Sequence, residues 1–595
     1  MTKKVPIKYT ARDFESIRDS LLDYTKRYYP NTYKDFSEAS FGSLVMDEVS
    51  IIGDSLSWFI DYAVNESFFE TSLEYNNIIR HGRSRGWSFT GNPSSYGIAT
   101  FYILVPAASN SQGPDSRYYP VLKVGSQFSS ADGKSFVLSE DVVFSATGND
   151  ILVAQIGDNG YPTYYAVRAK GQVVSGEFVY EEIVVGDYEK FPKLELTSDD
   201  IAEVVSVVDS SGKEYYEVDS LSQNIIYKAI PNYTSSREYA AYLMKPYAVP
   251  RRFVVERERR KTYLQFGQGN DSDDATMDLV EPANVFLNIY GKDYISTDSF
   301  DPSRLVKSDS LGIAPSNTTL RIKVRKNTTD NVNIGVGTLV RVGEAVYEFD
   351  NVNQLSTSIL STIKSSLEVT NDEPITGDIT LPSTEELKKR IMGAFSSQKR
   401  AVSSEDYRFV CYGMPAKFGS VKRVNVVKDN NSFKRNLNLY VVSEDQDGYL
   451  TETNTTIKNN LKTWITQYKM INDTVDILDA RIVNFGINFE VISYPSKEKY
   501  EVLESCISAL KDAMKIKFDI GQSLSKSEIF KTLNAVDGVV DTTKVEIVEK
   551  RGGVYSDFGF DFDKFASADD LFIECPKNCV FELRDFEADV KGVVR

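Results

Sequence analysis

The only histidine of the chain, His81, is the residue best suited to acid–base chemistry near neutral pH. It lies in the segment Arg80-His-Gly-Arg-Ser-Arg85, where neighbouring guanidinium groups disfavour a charged imidazole. No Gly-x-Ser-x-Gly elbow accompanies it, so the serine nucleophile that a histidine base would serve is missing. We therefore expect His81 to pack against a helix or to cap one, and we expect no catalytic role for it.

Three further segments resemble parts of ligand-binding loops, but each lacks essential positions. Gly133-Lys-Ser135 has the end of a P-loop, but Phe128 stands where the first glycine belongs. Gly335-Val-Gly337 lacks the third glycine and the following helix of a dinucleotide loop. Asp271-Ser-Asp-Asp274 lacks the glycine and distal glutamate of an EF-hand. We expect no cofactor and no metal at these places.

Cysteines and carboxylates are the remaining candidates for chemistry. The four cysteines (Cys411, Cys506, Cys575, Cys579) are too few for a disulfide framework, and the last two have an i, i+4 spacing with no second pair. We expect buried reduced thiols rather than a zinc site. Among 85 acidic residues, spacing neither identifies nor removes a glycosidase-type carboxylate pair, so a hydrolase stays open as an alternative.

Composition narrows the class of protein further. The net charge of −17 argues against nucleic-acid binding, which gains most of its affinity from cations that neutralise phosphates. We interpret the basic run Arg251–Lys261 as strands with a solvated charged face. The apolar stretch Ile51–Val64 is broken by Asp54 and Asp61, so it is too short to cross a membrane. We also find no signal-peptide pattern and expect synthesis in a cytoplasm.

The N-terminal part is predicted to be helical. Thr10-Ala-Arg-Asp13 has the pattern of a capping box, and the helix that follows it should end before Pro30. A second helix should begin near Ser40 and has apolar residues on more than one side, which indicates several packing partners, some of them in another chain. We predict an interface at these residues of the second helix: Phe41, Leu44, Val45, Ile52, Leu56, Trp58, Phe59 and Ile60.

The rest of the chain alternates between strands and helices, which predicts an α+β multidomain fold. From about Tyr96 the period of two is typical of an antiparallel β-sandwich-like region, with an expected strand at Val285–Ile289. After about residue 375 the pattern indicates small α+β sandwiches, and Gly552–Asp570 is expected to be a loop or hairpin outside the core. The predicted domains are an N-terminal helical unit (1–92), a β-rich domain with an insertion (93–315), a β-rich connecting segment (316–375) and two α+β domains (376–495 and 496–595).

Near the N-terminus the chain reads Ser40-Phe-Gly-Ser-Leu44 and, further on, Glu66-Ser-Phe-Phe69. With several later segments in order, these resemble the baseplate J family, most of all its long members, the wedge proteins of contractile-tailed phages. The first segment is similar to the start of the family's first helical unit, and the second to its glutamate before two aromatic residues. Ser84-Arg-Gly-Trp87 departs from the family's arginine–leucine–glycine–tyrosine close but keeps the glycine–aromatic pair. The resemblance covers roughly residues 36–410.

The remaining motifs are turns and a helix cap, and Gln268 stands where the family has an acid. They are Val124-Gly125-Ser-Gln-Phe128 with Gly133-Lys-Ser-Phe136, Phe266-Gly267-Gln-Gly269, Asn331-Val-Asn-Ile-Gly335-Val-Gly-Thr-Leu339 and Arg400-Ala-Val-Ser403-Ser-Glu-Asp406-Tyr407. We expect the glycines to permit positive φ and close backbone approach, and Ser403 with Asp406 to cap a helix whose Tyr407 faces inward.

This resemblance implies a non-enzymatic structural subunit of a virion, assembled in the host cytoplasm into the baseplate of a contractile tail. It implies a homodimer, contacts with other wedge proteins and with sheath-initiating and hub-proximal proteins, and no nucleic acid, membrane insertion or cofactor. A bacterial contractile injection system fits equally well, since both use such parts. A tail-associated hydrolase and a host-recognition adhesin remain alternatives, although the adhesin would be expected to carry internal repeats, which we do not find.

Overall fold

The computed structural model describes residues 12–32, 40–91, 93–108, 113–158, 160–231, 242–270, 311–327, 331–350, 352–377, 381–429, 436–514 and 517–595. The chain folds into two compact units, one of Met1–Trp87 with Pro382–Ile391 and one of Ser88–Leu381 with Met392–Arg595. The mixture of helices with mainly antiparallel sheets confirms the α+β fold class. The boundaries of the five predicted domains stay a prediction.

The first unit is helical. Its elements are α1 (Phe14–Tyr28), α2 (Phe41–Ser67), α3 (Tyr75–Ser84) and the first half of α5 (Thr384–Ser397). Asp13 is the N-cap of α1, its side chain accepting a hydrogen bond from the backbone N–H of Ser16. The predicted capping box, which begins at Thr10 outside the described residues and places Asp13 inside the helix, was therefore wrong. The end of α1 before Pro30 and the start of α2 after its N-cap Ser40 confirm the predicted helix boundaries.

The second unit begins with two seven-stranded sheets, counted over the described residues. The strands up to residue 266 are β1 (Tyr96–Pro106), β2 (Val121–Leu122), β3 (Gln127–Ser130), β4 (Ser135–Leu138), β5 (Val142–Val143), β6 (Asp150–Ile156), β7 (Pro162–Ser175), β8 (Glu177–Val185), β9 (Lys193–Glu195), β10 (Ile201–Asp209), β11 (Glu214–Glu217), β12 (Ile225–Pro231), β13 (Tyr242–Ala248), β14 (Arg252–Arg257) and β15 (Thr262–Phe266). The predicted strand Val285–Ile289 lies outside the described residues.

The remaining elements of the β-rich part follow residue 317. They are β16 (Thr318–Lys326), β17 (Leu339–Val342), β18 (Tyr347–Glu348), α4 (Thr357–Ser365) and β19 (Glu368–Thr370). One sheet has the order β17-β3-β4-β7-β1-β19 with β6 on β7, and the other has the order β8-β16-β10-β11-β14-β15-β9. Strand β1 runs antiparallel to β7 along its whole length, from Tyr96 opposite Val174 to Pro106 opposite Tyr164.

Two smaller α+β sheets form the C-terminal part. Their elements are α6 (Ser404–Tyr412), β20 (Arg423–Lys428), β21 (Asn436–Glu444), β22 (Leu450–Thr451), α7 (Thr455–Thr466), β23 (Thr474–Asp479), β24 (Arg481–Ser493), α8 (Lys499–Ala513), β25 (Leu524–Ser525), α9 (Lys526–Asn534), β26 (Val539–Glu549), β27 (Phe572–Ile573), β28 (Cys579–Glu582), α10 (Phe586–Asp589) and β29 (Val590–Val594). Strand β21 pairs parallel with β23, and β24 pairs parallel with β28 and β29 and antiparallel with β26.

The segment Gly552–Asp570 is irregular, as predicted, but its exclusion from the core was wrong. Phe560 and Phe562 are buried in the hydrophobic core beneath β24, and the Phe560 ring lies edge-on to Phe581 of β28, with the ring centroids 5.5 Å apart. The core of this small sheet is therefore completed by a loop as well as by helices.

Candidate interaction surface

Helix α2 presents its polar side to α1. Nε of Arg18 donates to Oδ1 of Asp47 at 2.6 Å, and the same guanidinium reaches Oγ of Ser43 at 3.3 Å. At the next contact along the helix, a Cβ added to Gly53 would lie only 3.1 Å from Cδ1 of Ile17. The buried residues of α2 are accordingly Ser43, Ser50 and Glu66. Small and polar side chains thus form the intramolecular contact, which leaves the apolar side of α2 uncovered.

All eight predicted interface residues lie on this uncovered side, which we call the apolar surface of α2. Their exposed fractions range from 43% at Val45 to 80% at Phe41. Sequence analysis missed four exposed neighbours on the same helix, Val49, Ile51, Tyr62 and Val64, although their apolar type in a helix of mixed periodicity was the available signal. A continuous apolar surface on a 27-residue helix is unusual for a side that stays in water.

The aromatic residues of the apolar surface contact one another. The Trp58 ring stacks on Tyr62 with centroids 5.5 Å apart and meets Phe59 edge-on at 5.2 Å. Trp58 and Phe59 nevertheless remain about three-fifths exposed. Large aromatic side chains with this exposure are the residue types that dominate the free energy of protein–protein contacts.

Glu66, at the end of α2, holds the start of α3. Its carboxylate accepts from the backbone N–H of Leu73 at 2.8 Å and from Nδ2 of Asn77 at 2.9 Å, and it also bonds the N–H of Glu74. Glu74 is the N-cap residue of α3 and makes no side-chain capping bond itself. Burial raises the pKa of Glu66, but these donors and the charge of Lys388 outweigh it and hold the pKa below its ordinary value. The family-like glutamate is therefore a helix cap acting from another helix.

The first family-like turn forms the hairpin that its pattern predicts. Gly125 has φ of +94° and its N–H donates to the Leu138 carbonyl at 2.9 Å. Strands β3 and β4 then pair with Phe128 opposite Phe136, and both rings are buried in the β core. A positive φ is needed at Gly125 because the chain reverses there before β3 begins.

Of the glycines in the other two motifs, Gly337 alone has the expected positive φ, at +67°. Gly267 has no positive φ, but a Cβ there would lie 2.2 Å from the carbonyl oxygens of Leu311 and Gly312, so close backbone approach is its requirement. The N–H of Gly269 donates to the Gly312 carbonyl at 2.9 Å beside the same crossing. Gly335 likewise has no positive φ, and only the end of the Gln446 side chain lies near it.

The Asn331 motif ties the β-rich part to the α+β part, and its second asparagine, which sequence analysis did not select, makes most of the contacts. Nδ2 of Asn331 donates to the Gln446 carbonyl, and its Oδ1 accepts from the N–H of Asn333 at 3.1 Å. Asn333 is fully buried, donates to the carbonyls of Gly377 and Glu444 at 3.0 and 2.9 Å, and accepts from Oγ of Ser95. These side chains fix the position of the backbone that follows.

The helix cap at Ser403 is confirmed in full. Oγ of Ser403 accepts from the N–H of Asp406 at 3.2 Å, and the Asp406 carboxylate accepts from the N–H of Ser403 at 2.8 Å. Burial raises the pKa of Asp406, and the hydrogen bonds from Ser403 and Val402 bring it below its ordinary value. Tyr407 faces inward, as predicted, and its hydroxyl donates to Oδ2 of Asp473 at 2.7 Å in the core.

The basic run Arg251–Lys261 is only partly solvated, so the predicted charged face was wrong at its start. Arg252 is fully buried, its Nε donating to the Leu221 carbonyl at 2.7 Å and its Nη1 to the Val249 carbonyl at 3.0 Å. Arg251 is also buried, whereas Arg259 to Lys261 are exposed. Backbone carbonyls satisfy the buried guanidinium, which sequence cannot reveal, since they come from irregular segments.

The other candidates for chemistry are placed as follows. All four cysteines are buried and unbridged, which confirms the predicted thiols, and burial raises the pKa of Cys506 to about 11. Nε2 of His81 lies 2.9 Å from the carbonyl oxygen of Glu66, in keeping with a packing role. Within the described ranges, no group of three or more His, Cys, Asp or Glu could hold a metal ion, and no helix is both long and apolar enough to span a bilayer.

A groove of about 1140 Å³ lies between α8 and α9 and is lined by Glu501, Glu504, Asp512 and Glu528 among other residues. These carboxylates are exposed, whereas a glycosidase needs one carboxyl held protonated by burial. The buried carboxyl whose pKa burial raises, Glu582, does not line the groove, and it accepts from the N–H of Leu450 at 2.6 Å and from Nδ2 of Asn484 at 3.0 Å. The groove therefore gives no support to the hydrolase alternative.

No family model matches the sequence, and no curated protein matches it either. Among solved structures, the chain is similar to a chain of the anti-feeding prophage (AFP) baseplate, with 9% identity and a TM-score of 0.25 over 96% of this chain and 99% of the other. It is also similar to a chain of the type VI secretion system TssK-TssF-TssG baseplate subcomplex, with 10% identity and a TM-score of 0.24 over 74% of this chain and 96% of the other. Likeness at such TM-scores carries no argument about function.

Proposed function

We propose that this protein is a structural subunit of the baseplate of a contractile tail or related injection system. The observation that carries the proposal is the apolar surface of α2, since a subunit that stayed alone would leave this surface in water. The ordered resemblance of its motifs to baseplate J wedge proteins supports the choice of assembly. In this role the protein has no covalent chemistry to perform, and the function lies in its folds and contacts.

The specific partner of the apolar surface is, on this proposal, a helical bundle formed with other wedge subunits. The apolar surface of α2 is wide: Ile52 and Phe59 lie along one row of the helix, and Ile51 and Trp58 lie along a neighbouring row. One partner helix would therefore cover only part of this surface. The wedges would close into a ring around the hub, and rearrangement of that ring would trigger sheath contraction. The α+β region would supply a homodimer contact, which cross-linking mass spectrometry of assembled particles would show as links between two copies of residues 376–595.

The test is fractionation of a lysate from producing cells on a sucrose gradient, probed for this protein. We expect it to sediment with tail-sized particles, and Ile52→Glu to shift it to the free fraction because a charge would be buried in the bundle. The control is Val184→Glu, which places the same charge at a residue that is 80% exposed on β8. Particles that lack the protein, or an Ile52→Glu variant that still sediments with them, would contradict the proposal.

A further inference from the structure

Strand β6 is exposed at every residue, although its sequence, Asp-Ile-Leu-Val-Ala-Gln-Ile, is mostly apolar. Leu152 is 71% exposed and Ile156 is 67% exposed. Within the described part of the chain, β6 pairs with β7 alone, so its outer edge presents backbone N–H and C=O groups without a strand partner. Proteins usually protect such an edge with lysine or proline, and β6 contains neither.

The side of the sheet that faces the core continues onto β6, where its side chains are partly exposed. Ile151 lies opposite Val167, and Val153 lies opposite Tyr165. Residues that face each other across two strands share one side of the sheet, and Val167 and Tyr165 are both buried. Ile151 and Val153 are nevertheless about half exposed. One more strand beside β6 would complete the sheet and bring apolar side chains against these two.

We propose that this strand is β6 of a second copy of the chain, paired antiparallel about a two-fold axis at Leu152. This register places Ile151 of each copy opposite Val153 of the other, so the two uncovered core-side residues cover one another. At each end of this short ladder Asp150 faces the bulge near Ala154 of the other copy, and the Asp150 carboxylate keeps its own partner, the Arg168 guanidinium, at 3.5 Å. No like charges meet, which is what a self-complementary contact requires.

The irregularity within β6 is consistent with this register. The pairing with β7 shifts between Val153 and Gln155, which marks a bulge near Ala154. A bulge interrupts strand addition where it stands but leaves the regular stretch Asp150–Val153 available. The proposed contact is centred on that stretch, and it is a different surface from the apolar surface of α2. It therefore stands whether or not the protein belongs to a baseplate.

The test uses single cysteine variants of the full chain, which is possible because all four native cysteines are buried. In the proposed register the Cα atoms of the two copies' residue 152 would lie about 4.5–5.5 Å apart, within the reach of a disulfide. Leu152→Cys should therefore form a disulfide-linked dimer under mild oxidation, at a rate about tenfold above that of Ile156→Cys, whose two copies would be out of register. Val184→Cys is the second control, because Val184 is also exposed on an edge strand, β8.

The outcomes separate the proposal from its rivals. Leu152→Lys should also weaken dimer formation in sedimentation equilibrium, with an unchanged circular dichroism spectrum as the check on folding. Failure of Leu152→Cys to cross-link, or equal rates for all three cysteine variants, would overturn the two-fold pairing. A mixed disulfide with a different protein in the producing cells, in place of the dimer, would overturn the second copy as occupant.

Discussion

The ring of His81 contacts the backbone of Glu66, with Nε2 of His81 2.9 Å from the Glu66 carbonyl oxygen. The carboxylate of the same glutamate caps α3, the helix that carries His81. The ring of His81 also meets Phe69 edge-on, with centroids 6.3 Å apart. The turn between α2 and α3 is thus closed by one residue through both its side chain and its main chain. The only histidine of the chain serves this turn.

The Glu66 carboxylate makes the stability of this turn depend on pH. Because its folded-state pKa lies below the ordinary value of 4.5, the stabilisation is complete above that value and is lost as the pH falls through the folded-state pKa. We expect amide protection at Leu73 and Glu74 to be high above pH 4.5 and to be lost as the pH falls below that value. Hydrogen exchange of the full chain, corrected for the intrinsic exchange rate, measures this.

Replacing Glu66 by Gln should remove that pH dependence and cost about 1–2 kcal/mol of local stability, since one acceptor oxygen becomes an amide donor facing N–H groups. Glu70→Gln is the matched control, because Glu70 is exposed. If the two variants gave the same protection at Leu73 at every pH, Glu66 would not be the cap.

Tyr407 and Asp473 form a buried hydrogen-bonded pair, and its loss should destabilise the whole α+β part. Both residues are 1% exposed, and the Tyr407 hydroxyl donates to Oδ2 of Asp473 at 2.7 Å. Tyr407→Phe removes one donor from a buried carboxylate, so we expect the free energy of unfolding to fall by about 2 kcal/mol. Urea unfolding measures it, with Tyr500→Phe, at an 81% exposed site, as the control that should change nothing. Equal midpoints for both variants would refute this role.

Two family-like glycines should respond to the same substitution with very different losses of stability. Gly267→Ala would push a methyl group to 2.2 Å from two backbone carbonyl oxygens, so we expect a loss of about 2–3 kcal/mol. Gly335→Ala meets only the end of the Gln446 side chain at 3.2 Å, which can move, so we expect a change within about 0.5 kcal/mol. Thermal unfolding of the two variants in parallel measures the difference. Similar losses would show that the crossing at Gly267 is not as close as described.

Local signals in the sequence predicted α1, α2 and the cap at Ser403, whereas α4 lies in the predicted β-rich segment and the N-cap of α1 is Asp13. Ser403 and Asp406 form a capping box within four residues, so spacing alone revealed the geometry. The pairing of Phe128 with Phe136 agrees with the hairpin that the family-like motif implied. In these cases the interacting groups are neighbours in sequence, and their chemistry is visible in the pattern.

What sequence could not predict depends on groups that are distant in the chain. Arg252 looked solvated because its acceptors are the carbonyls of Leu221 and Val249, which no pattern marks. Asn333 looked like an ordinary turn residue, yet it bonds to Gly377 and Glu444 from two other segments. A carbonyl is present at every residue, so the composition of a partner segment gives no hint of such bonds.

The last prediction concerns the apolar surface of α2. Helices gain most of their stability from burying an apolar side, and α2 buries only small and polar residues within its own chain. In the isolated subunit we therefore expect amides in the middle of α2 to exchange much faster than those of β24, whose Phe485 and Ile487 are fully buried. In assembled particles the same amides should become protected, because partner helices would then cover the apolar surface. Hydrogen exchange read by mass spectrometry compares both states within one chain, with β24 as the internal reference. Strong protection of α2 in the monomer would show that the helix needs no partner, and the intermolecular bundle would have to be abandoned.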